Sequence, residues 1–197
     1  MTDLPESTID RHDLLPHLFP DPGAYLLLAG LAGAAKDTAA WTQEADNLIT
    51  LGGAMGGAIP MALGMALAAP ERRIAVITGD GELMMNAGAL ATVASAAPQN
   101  LIIVCIDNGQ HGETGGQPGH TSKRTNLTTL AEGSGIASVM TVSAPEDLSA
   151  ARDFLADGIA PKFLWVRVRP GPPADYKRNW DLVECRLRFR LANAADA

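Results

Sequence analysis

Short apolar runs alternate with longer segments rich in alanine and other helix-forming residues along most of the chain. The apolar runs are continuous, which is typical of strands that are covered on both faces of a sheet. We predict six strands, at 24–30, 47–52, 73–79, 100–108, 138–142 and 163–168. Helix-like segments lie between them at 34–45, 57–69, 82–97, 126–135 and 145–158. This alternation predicts a three-layer, doubly wound α/β fold around a mainly parallel six-stranded sheet.

The last part of the chain departs from this alternation. A proline-rich turn begins at Pro170 and leads into a basic segment, 177–190, which reads as a helix. We therefore predict a single domain over 1–197 with a C-terminal extension at 170–197. The extension is expected on the outside of the domain or on a partner.

Composition and charge exclude several classes of protein. The chain is 47% hydrophobic and 19% charged, as in ordinary globular proteins, and its 22 acidic and 15 basic residues give a net charge of -7. An acidic balance argues against nucleic acid as the main partner. The N-terminal segment lacks the basic and apolar parts of a signal peptide, and no apolar run is long enough to span a membrane. Cys105 and Cys185 suggest neither a disulfide framework nor a metal site, so we expect a cytoplasmic protein.

The candidate chemistry begins where the third apolar run ends in Gly79, Asp80 and Gly81 and passes directly into a helix. Ligands of open α/β sheets bind at the carboxyl ends of strands, and a helix that starts there offers free N–H groups to a phosphate. A carboxylate in that position would repel a phosphate unless a divalent cation lies between them. Mg²⁺ prefers oxygen ligands, and the next strand ends in Asp107 and Asn108. The pattern predicts a site for Mg²⁺ and a phosphate group.

The same residues resemble the signature of thiamine-diphosphate-dependent enzymes, in which GDG is followed after about two dozen residues by a pair of asparagines. Here 25 residues separate Gly81 from the pair, and Asp107 replaces the first asparagine. The resemblance implies the thiamine-diphosphate-binding fold. It also implies that Mg²⁺ is bound by Asp80, by the side chain of Asn108 and by the main-chain carbonyl of Gln110.

The resemblance also assigns residues to the cofactor. Gly79 belongs to the diphosphate corner, and Gly81 and Glu82 are expected to present backbone N–H groups to the diphosphate. Family members more often have a small residue after GDG, so the Glu82 side chain is expected to turn away from the diphosphate or to pair with a cation.

A second matching segment, "GGAMGGAIPMALGMA", begins at position 52. It is similar to the family loop in which a large apolar residue between small ones holds the cofactor in a bent conformation. That residue is Met55, and Gly53 belongs to the same loop. The alternative is that Met55 fills a gap in the core, as methionine often does.

The loop "DNGQHGETGGQPGHTS" narrows the resemblance to phosphonopyruvate decarboxylases and to the β subunits of sulfopyruvate decarboxylases. We expect Gly112 to contact the cofactor, and His111 to act as a proton donor or to contact an anionic substrate, because an imidazole titrates near neutral pH. His120 is a second candidate for that role. Lys123 and Arg124 either attract an anionic substrate or form a solvated basic turn.

In this family the glutamate that activates the cofactor lies in a separate, pyrimidine-binding domain. The resemblance therefore implies a β-type subunit of a split enzyme, inactive without a pyrimidine-domain α subunit and assembled with it as α₂β₂. The expected reaction is non-oxidative decarboxylation of a 2-oxo acid similar to sulfopyruvate or phosphonopyruvate, with or without carboligation. By itself the chain is expected to form a homodimer with a mobile loop over 109–125.

Three other interpretations remain open at this point. One is a 2-oxoacid:ferredoxin oxidoreductase β subunit, although the cysteines that would accompany iron–sulfur clusters are absent. Another is a catalytically silent subunit that regulates a larger thiamine enzyme. The third is an ordinary nucleotide-binding α/β domain.

Overall fold

The structure, a computed structural model, describes residues 7–194. The first six residues, where the predicted N-terminal segment begins, and the last three, where the predicted extension ends, lie outside it. Eight strands are present in the described part: β1 (Tyr25–Ala29), β2 (Leu48–Thr50), β3 (Arg73–Gly79), β4 (Leu101–Asp107), β5 (Gln110–His111), β6 (Gln117–Pro118), β7 (Ser138–Val142) and β8 (Lys162–Arg167). Six of them form one sheet in the order β2-β1-β3-β4-β8-β7, and every neighbouring pair in it is parallel.

Helices cover both faces of this sheet. They are α1 (Arg11–Leu18), α2 (Ala32–Thr42), α3 (Ala58–Ala68), α4 (Asp80–Met85), α5 (Ala89–Ala96), α6 (Leu127–Gly133), α7 (Leu148–Ala156) and α8 (Leu182–Asn193). One hydrophobic cluster joins the sheet to α1, α2 and α7, and a second joins it to α3, α4, α5 and α6. The predicted three-layer, doubly wound architecture is confirmed.

The strand β4 shows why its apolar run is unbroken. Leu101, Ile103 and Cys105 point into one cluster, whereas Ile102 and Val104 point into the other. Because both faces are buried, positions 101–106 of the strand carry apolar side chains, and Asp107 at its end is polar. Cys105 is therefore a core residue, and it is a free thiol.

The predicted helix over 82–97 is wrong in one respect, because the segment forms two helices, α4 and α5. The break begins at Asn86, whose backbone N–H bonds to the carbonyl of Leu83 at 3.1 Å. The Asn86 side chain donates to the carbonyl of Gly56 at 3.1 Å. Gly56 has φ +84°, a conformation that favours glycine. The end of α4 is thus tied to the loop that carries Met55.

The C-terminal extension packs on its own domain. Its helix α8 begins at Leu182, not at 177 as predicted, because the Asp181 side chain caps it by accepting from the N–H groups of Val183 and Glu184. Helix α8 lies against the edge strand β2. Near its end, the Asn193 side chain donates to the carbonyl of Asp46 at 2.8 Å.

The segment 109–125, predicted as a mobile loop, contains regular structure. Strands β5 and β6 pair antiparallel, and a 3₁₀ turn, Gly112–Thr114, connects them. The backbone N–H of Gly119 donates to the carbonyl of Gly109 at 2.7 Å and closes the hairpin. Within residues 7–194, no helix combines the length and the apolar character that a membrane span requires.

Candidate cofactor-binding site

The parallel pairing of β3 with β4 brings the two halves of the predicted motif together. Gly79 lies opposite Ile106 in the register, so Asp80 follows one strand where Asp107 ends the next. Asp80 is the first residue of α4, and Asn108 comes directly after β4. The 25 intervening residues form α4, α5 and the return of the chain to the sheet. The spacing of the motif therefore equals the length of one helical crossover between neighbouring parallel strands.

Two buried carboxylates meet at this corner. The Thr121 hydroxyl lies 2.8 Å from Asp107 Oδ1 and 3.3 Å from Asp80 Oδ2. Burial raises the pKa of Asp80 to about 7, and the nearby Asp107 charge adds to the rise. Because two like charges share a desolvated corner, a cation bound to Asp80 would relieve their repulsion. The donor chemistry thus fits a divalent metal ion.

The other predicted metal ligands offer neutral oxygens. Asn108 Oδ1 accepts the Gln110 N–H at 3.1 Å, which leaves one of its lone pairs for another partner. Gln110 lies opposite Pro118 in the hairpin, and proline has no N–H to donate to the Gln110 carbonyl. Residues 7–194 contain no cluster of three or more His, Cys, Asp or Glu that could bind a metal. One carboxylate, one amide and one backbone carbonyl form the hard oxygen set that suits Mg²⁺.

Asp107, which replaces an asparagine of the family signature, is fully engaged by donors. Its Oδ1 accepts the Gly109 N–H at 2.7 Å as well as the Thr121 hydroxyl, and its Oδ2 accepts Trp165 Nε1–H at 2.8 Å. All three donors point at the carboxylate, and Asp107 is buried. Asp107 therefore holds the end of β4 in place.

Asp107→Asn is expected to destabilise the chain by about 1–3 kcal/mol, because an amide NH₂ would face a buried donor and leave it unsatisfied. Trp165 Nε1–H is the donor expected to lose its acceptor, because it is bonded to Oδ2 and the other two donors are bonded to Oδ1. Denaturant unfolding of the parent and the variant measures the difference. An equally stable variant would show that the three hydrogen bonds do not require a carboxylate.

The Glu82 side chain points into the protein between the ends of β1 and β3. Its Oε2 accepts the Leu31 N–H and the Thr78 hydroxyl, each at 3.0 Å. The backbone N–H groups of Ala58 and Gly56 also approach the buried carboxylate. Burial raises the pKa of Glu82, and the hydrogen bonds from Leu31 and Thr78 oppose that rise. Only the backbone of Glu82 is left to face the candidate site.

Met55 lies at the surface next to the corner, with 49% of its surface exposed, which excludes the interpretation as a core residue. A Cβ atom on Gly81 would lie 4.0 Å from Met55 Cε and 3.2 Å from His111 Nδ1. Gly53, with φ +153°, and Gly112 both face open space, because an added Cβ would meet nothing within 4 Å. Met55 and His111, from two of the predicted segments, thus both lie next to Gly81 in the third.

The structure distinguishes the polar residues of the hairpin. The rings of His111 and His120 lie edge to face with centroids 6.2 Å apart, and His111 is the half-buried member of the pair. Lys123 and Arg124 are exposed, as expected for a solvated basic turn. His111 is therefore the histidine that directly borders Gly81.

Sequence reasoning missed Thr121 and Trp165. Thr121 lies in a loop with no distinguishing pattern. Trp165, at the centre of the buried strand β8, did carry a signal, because a buried indole N–H needs an acceptor. Its acceptor is 58 residues away in the chain, so only the pairing of β4 with β8 reveals the contact.

The fold and this corner define an α/β domain with a buried pair of carboxylates and a helix start at the carboxyl edge of its sheet. Residues 31–163 match the family model described as "Thiamine pyrophosphate enzyme, C-terminal TPP binding domain". The chain belongs to this family, and the family predicted from the motifs is confirmed. An ordinary nucleotide-binding domain is excluded.

The relatives differ in how much of their own length this chain covers. The chain is 34% identical over 136 residues to "Sulfopyruvate decarboxylase subunit beta" of Methanocaldococcus jannaschii, covering 69% of this chain and 72% of the relative. It is 38% identical over 131 residues to "Phosphonopyruvate decarboxylase" of Streptomyces viridochromogenes, covering 65% of this chain and 32% of the relative.

Among solved structures, benzoylformate decarboxylase from Polynucleobacter necessarius superposes with a TM-score of 0.68 at 19% identity. The match covers 87% of this chain and 36% of that one. At this identity the likeness concerns the fold alone.

Proposed function

We propose that the chain is the diphosphate-binding subunit of a split enzyme that uses thiamine diphosphate and Mg²⁺ to decarboxylate a 2-oxo acid bearing a sulfonate or phosphonate group. The buried corner of Asp80 and Asp107 carries the proposal, because a cation bound there would relieve the repulsion between the two carboxylates. The relatives support the substrate class, since their names specify sulfopyruvate and phosphonopyruvate.

Thiamine diphosphate, when bound, would supply a nucleophilic carbon and an electron sink for the decarboxylation of the substrate. In this proposal Asp80, Asn108 and the Gln110 carbonyl hold Mg²⁺. The backbone N–H groups of Gly81 and Glu82 bind the diphosphate, and Gly79 keeps that corner free of side chains.

Other residues position the reacting part of the cofactor. Met55, exposed beside Gly81, supports the bent conformation, and Gly53 and Gly112 leave room around it. His111, beside Gly81, is the proposed general acid. Its location next to Gly81 supports this role.

The activating glutamate would come from a pyrimidine-domain α subunit, in an α₂β₂ assembly in the cytoplasm. The contrast between relatives supports this division of labour, because the chain spans 72% of a β subunit but 32% of a phosphonopyruvate decarboxylase. Carboligation from the same enzyme is an additional proposal.

Turnover assays on the purified chain, the partner and their mixture test the proposal. We expect no decarboxylation of sulfopyruvate, phosphonopyruvate or pyruvate by this chain alone, and turnover of a sulfonated or phosphonated substrate by the mixture. Robust turnover by this chain alone would contradict the split enzyme. If the partner is already active and this chain only changes its rate, the chain is a regulatory subunit instead.

A further inference from the structure

Three basic residues are buried in the described part of the chain: Arg11, Lys162 and Arg178. Arg11 is paired with Asp37 at 2.7 Å. Lys162 donates to the carbonyls of Phe154 and Leu155 at 2.7 and 3.1 Å, and to that of Asp157. Only Arg178 lacks such compensation, which is unusual because a buried charge is normally paired.

The hydrogen-bond donors of Arg178 are only partly satisfied, although the Glu44 and Glu113 carboxylates lie close enough to favour its charge. Its Nη1 donates to the carbonyl of Leu51 over a long 3.5 Å, and its Nε is buried without a partner. Among residues 7–194, no carboxylate forms an ion pair with it. The guanidinium stacks on the Trp180 ring at 4.2 Å from the centroid, which fixes its plane, and Arg178 is 6% exposed. The planar guanidinium is thus held in position while some of its N–H donors have no acceptor.

Arg178 lies at the same edge of the sheet as the cofactor corner. Leu51 follows directly after β2, and all strands of the sheet are parallel, so its carbonyl lies at the carboxyl edge. Strands β2 and β3 are separated by β1, which places them roughly 10 Å apart. The Met55 loop begins one residue after Leu51. Along this edge, the loop that carries Met55 therefore lies between the corner of Asp80 and Asp107 and the Arg178 guanidinium.

We propose that Arg178 binds the tetrahedral oxyanion of the substrate, its sulfonate or phosphonate group. The assignment rests on the proposed function. A guanidinium presents parallel N–H donors that match two oxygens of such a group, and its partial desolvation strengthens the contact. The two other basic residues near the hairpin, Lys123 and Arg124, are exposed to water. Arg178 is accordingly a specificity residue that separates these substrates from pyruvate.

The first test is kinetic and uses the enzyme assembled with its partner. Arg178→Gln should raise KM for sulfopyruvate or phosphonopyruvate by about 10- to 100-fold, as expected for loss of a charge-assisted hydrogen bond, while kinetics with pyruvate change little. Arg178→Lys should restore part of the loss. Arg186→Gln, the same change at an exposed position of α8, is the matched control. An equal loss with pyruvate, or no loss, would overturn the proposal.

The second test does not depend on turnover. Methylphosphonate and methanesulfonate should change the fluorescence of the chain, in which Trp180 stacks on Arg178, whereas acetate should not. Arg178→Gln should abolish the change, and Arg186→Gln should keep it. If the assembled enzyme decarboxylates no 2-oxo acid, the proposed function fails and this titration alone decides the role of Arg178. Anion binding that is unaffected by Arg178→Gln would contradict the assignment.

Discussion

Asp80→Asn is expected to weaken the binding of thiamine diphosphate in the presence of Mg²⁺ by about 100-fold or more. Mutation of residues that only hydrogen-bond to metal ligands already lowers metal affinity roughly 10- to 100-fold, and the loss of a direct ligand should cost more. Asp80 is the only carboxylate in the proposed ligand set, and an amide at this position carries no charge to attract the ion. Calorimetric titration of the assembled enzyme with the cofactor, with and without Mg²⁺, measures the loss. Asn108→Ala should act in the same direction.

The fold of the Asp80 variant should remain intact. Burial and the neighbouring Asp107 charge raise the pKa of Asp80 to about 7, so its ionised form is unfavourable in the metal-free corner. Removing that charge should therefore leave the unfolding midpoint at neutral pH unchanged or higher. Asp153→Asn, at an exposed position on α7, is the matched control and should bind the cofactor normally. Unchanged affinity in Asp80→Asn would remove the basis for the proposed metal site.

Gly30→Ala is expected to destabilise the chain by about 3 kcal/mol or more, a large effect for one methyl group. A Cβ atom at Gly30 would lie 1.7 Å from Glu82 Oε2. The carboxylate cannot simply move aside, because Oε2 accepts from the Leu31 N–H and the Thr78 hydroxyl. Moving it would leave these two donors and a buried charge without partners, and hydrogen bonds to charged groups contribute about 1.5–3 kcal/mol each.

Denaturant unfolding of four variants separates this mechanism from a general intolerance of substitution. Gly64→Ala is the control, because a Cβ there meets nothing within 4 Å, and alanine in a helix should stabilise by roughly 0.5–1 kcal/mol. Glu82→Ala should destabilise by itself. The double variant Gly30→Ala with Glu82→Ala should be no less stable than Glu82→Ala, a strong departure from additivity. Additive losses would show that Gly30 is required for a reason other than the carboxylate.

The structure also changes how Glu82 is understood. The residue stands out in the sequence as a charge next to a phosphate-binding corner. In the fold it fills the space between the ends of β1 and β3, where the strand order changes direction and where α/β domains commonly bind ligands. The candidate site lies beside that point, at the ends of β3 and β4, where Asp80 and Asn108 are found.

The sequence by itself determined the six strands of the parallel sheet and the approximate location of the candidate site. Continuous apolar runs identify strands buried on both faces, and consecutive strands joined by a helix are usually neighbours, so the amino-acid pattern suffices to place Asp80 and Asn108 together. The tertiary structure decided which buried polar groups form hydrogen bonds with one another. Trp165 donates to Asp107 across 58 residues, and Arg178 reaches Leu51 across 127. Such contacts depend on how distant elements pack and on the burial that packing creates. Local patterns record periodicity along the chain, and they carry no information on whether a buried charge finds a partner.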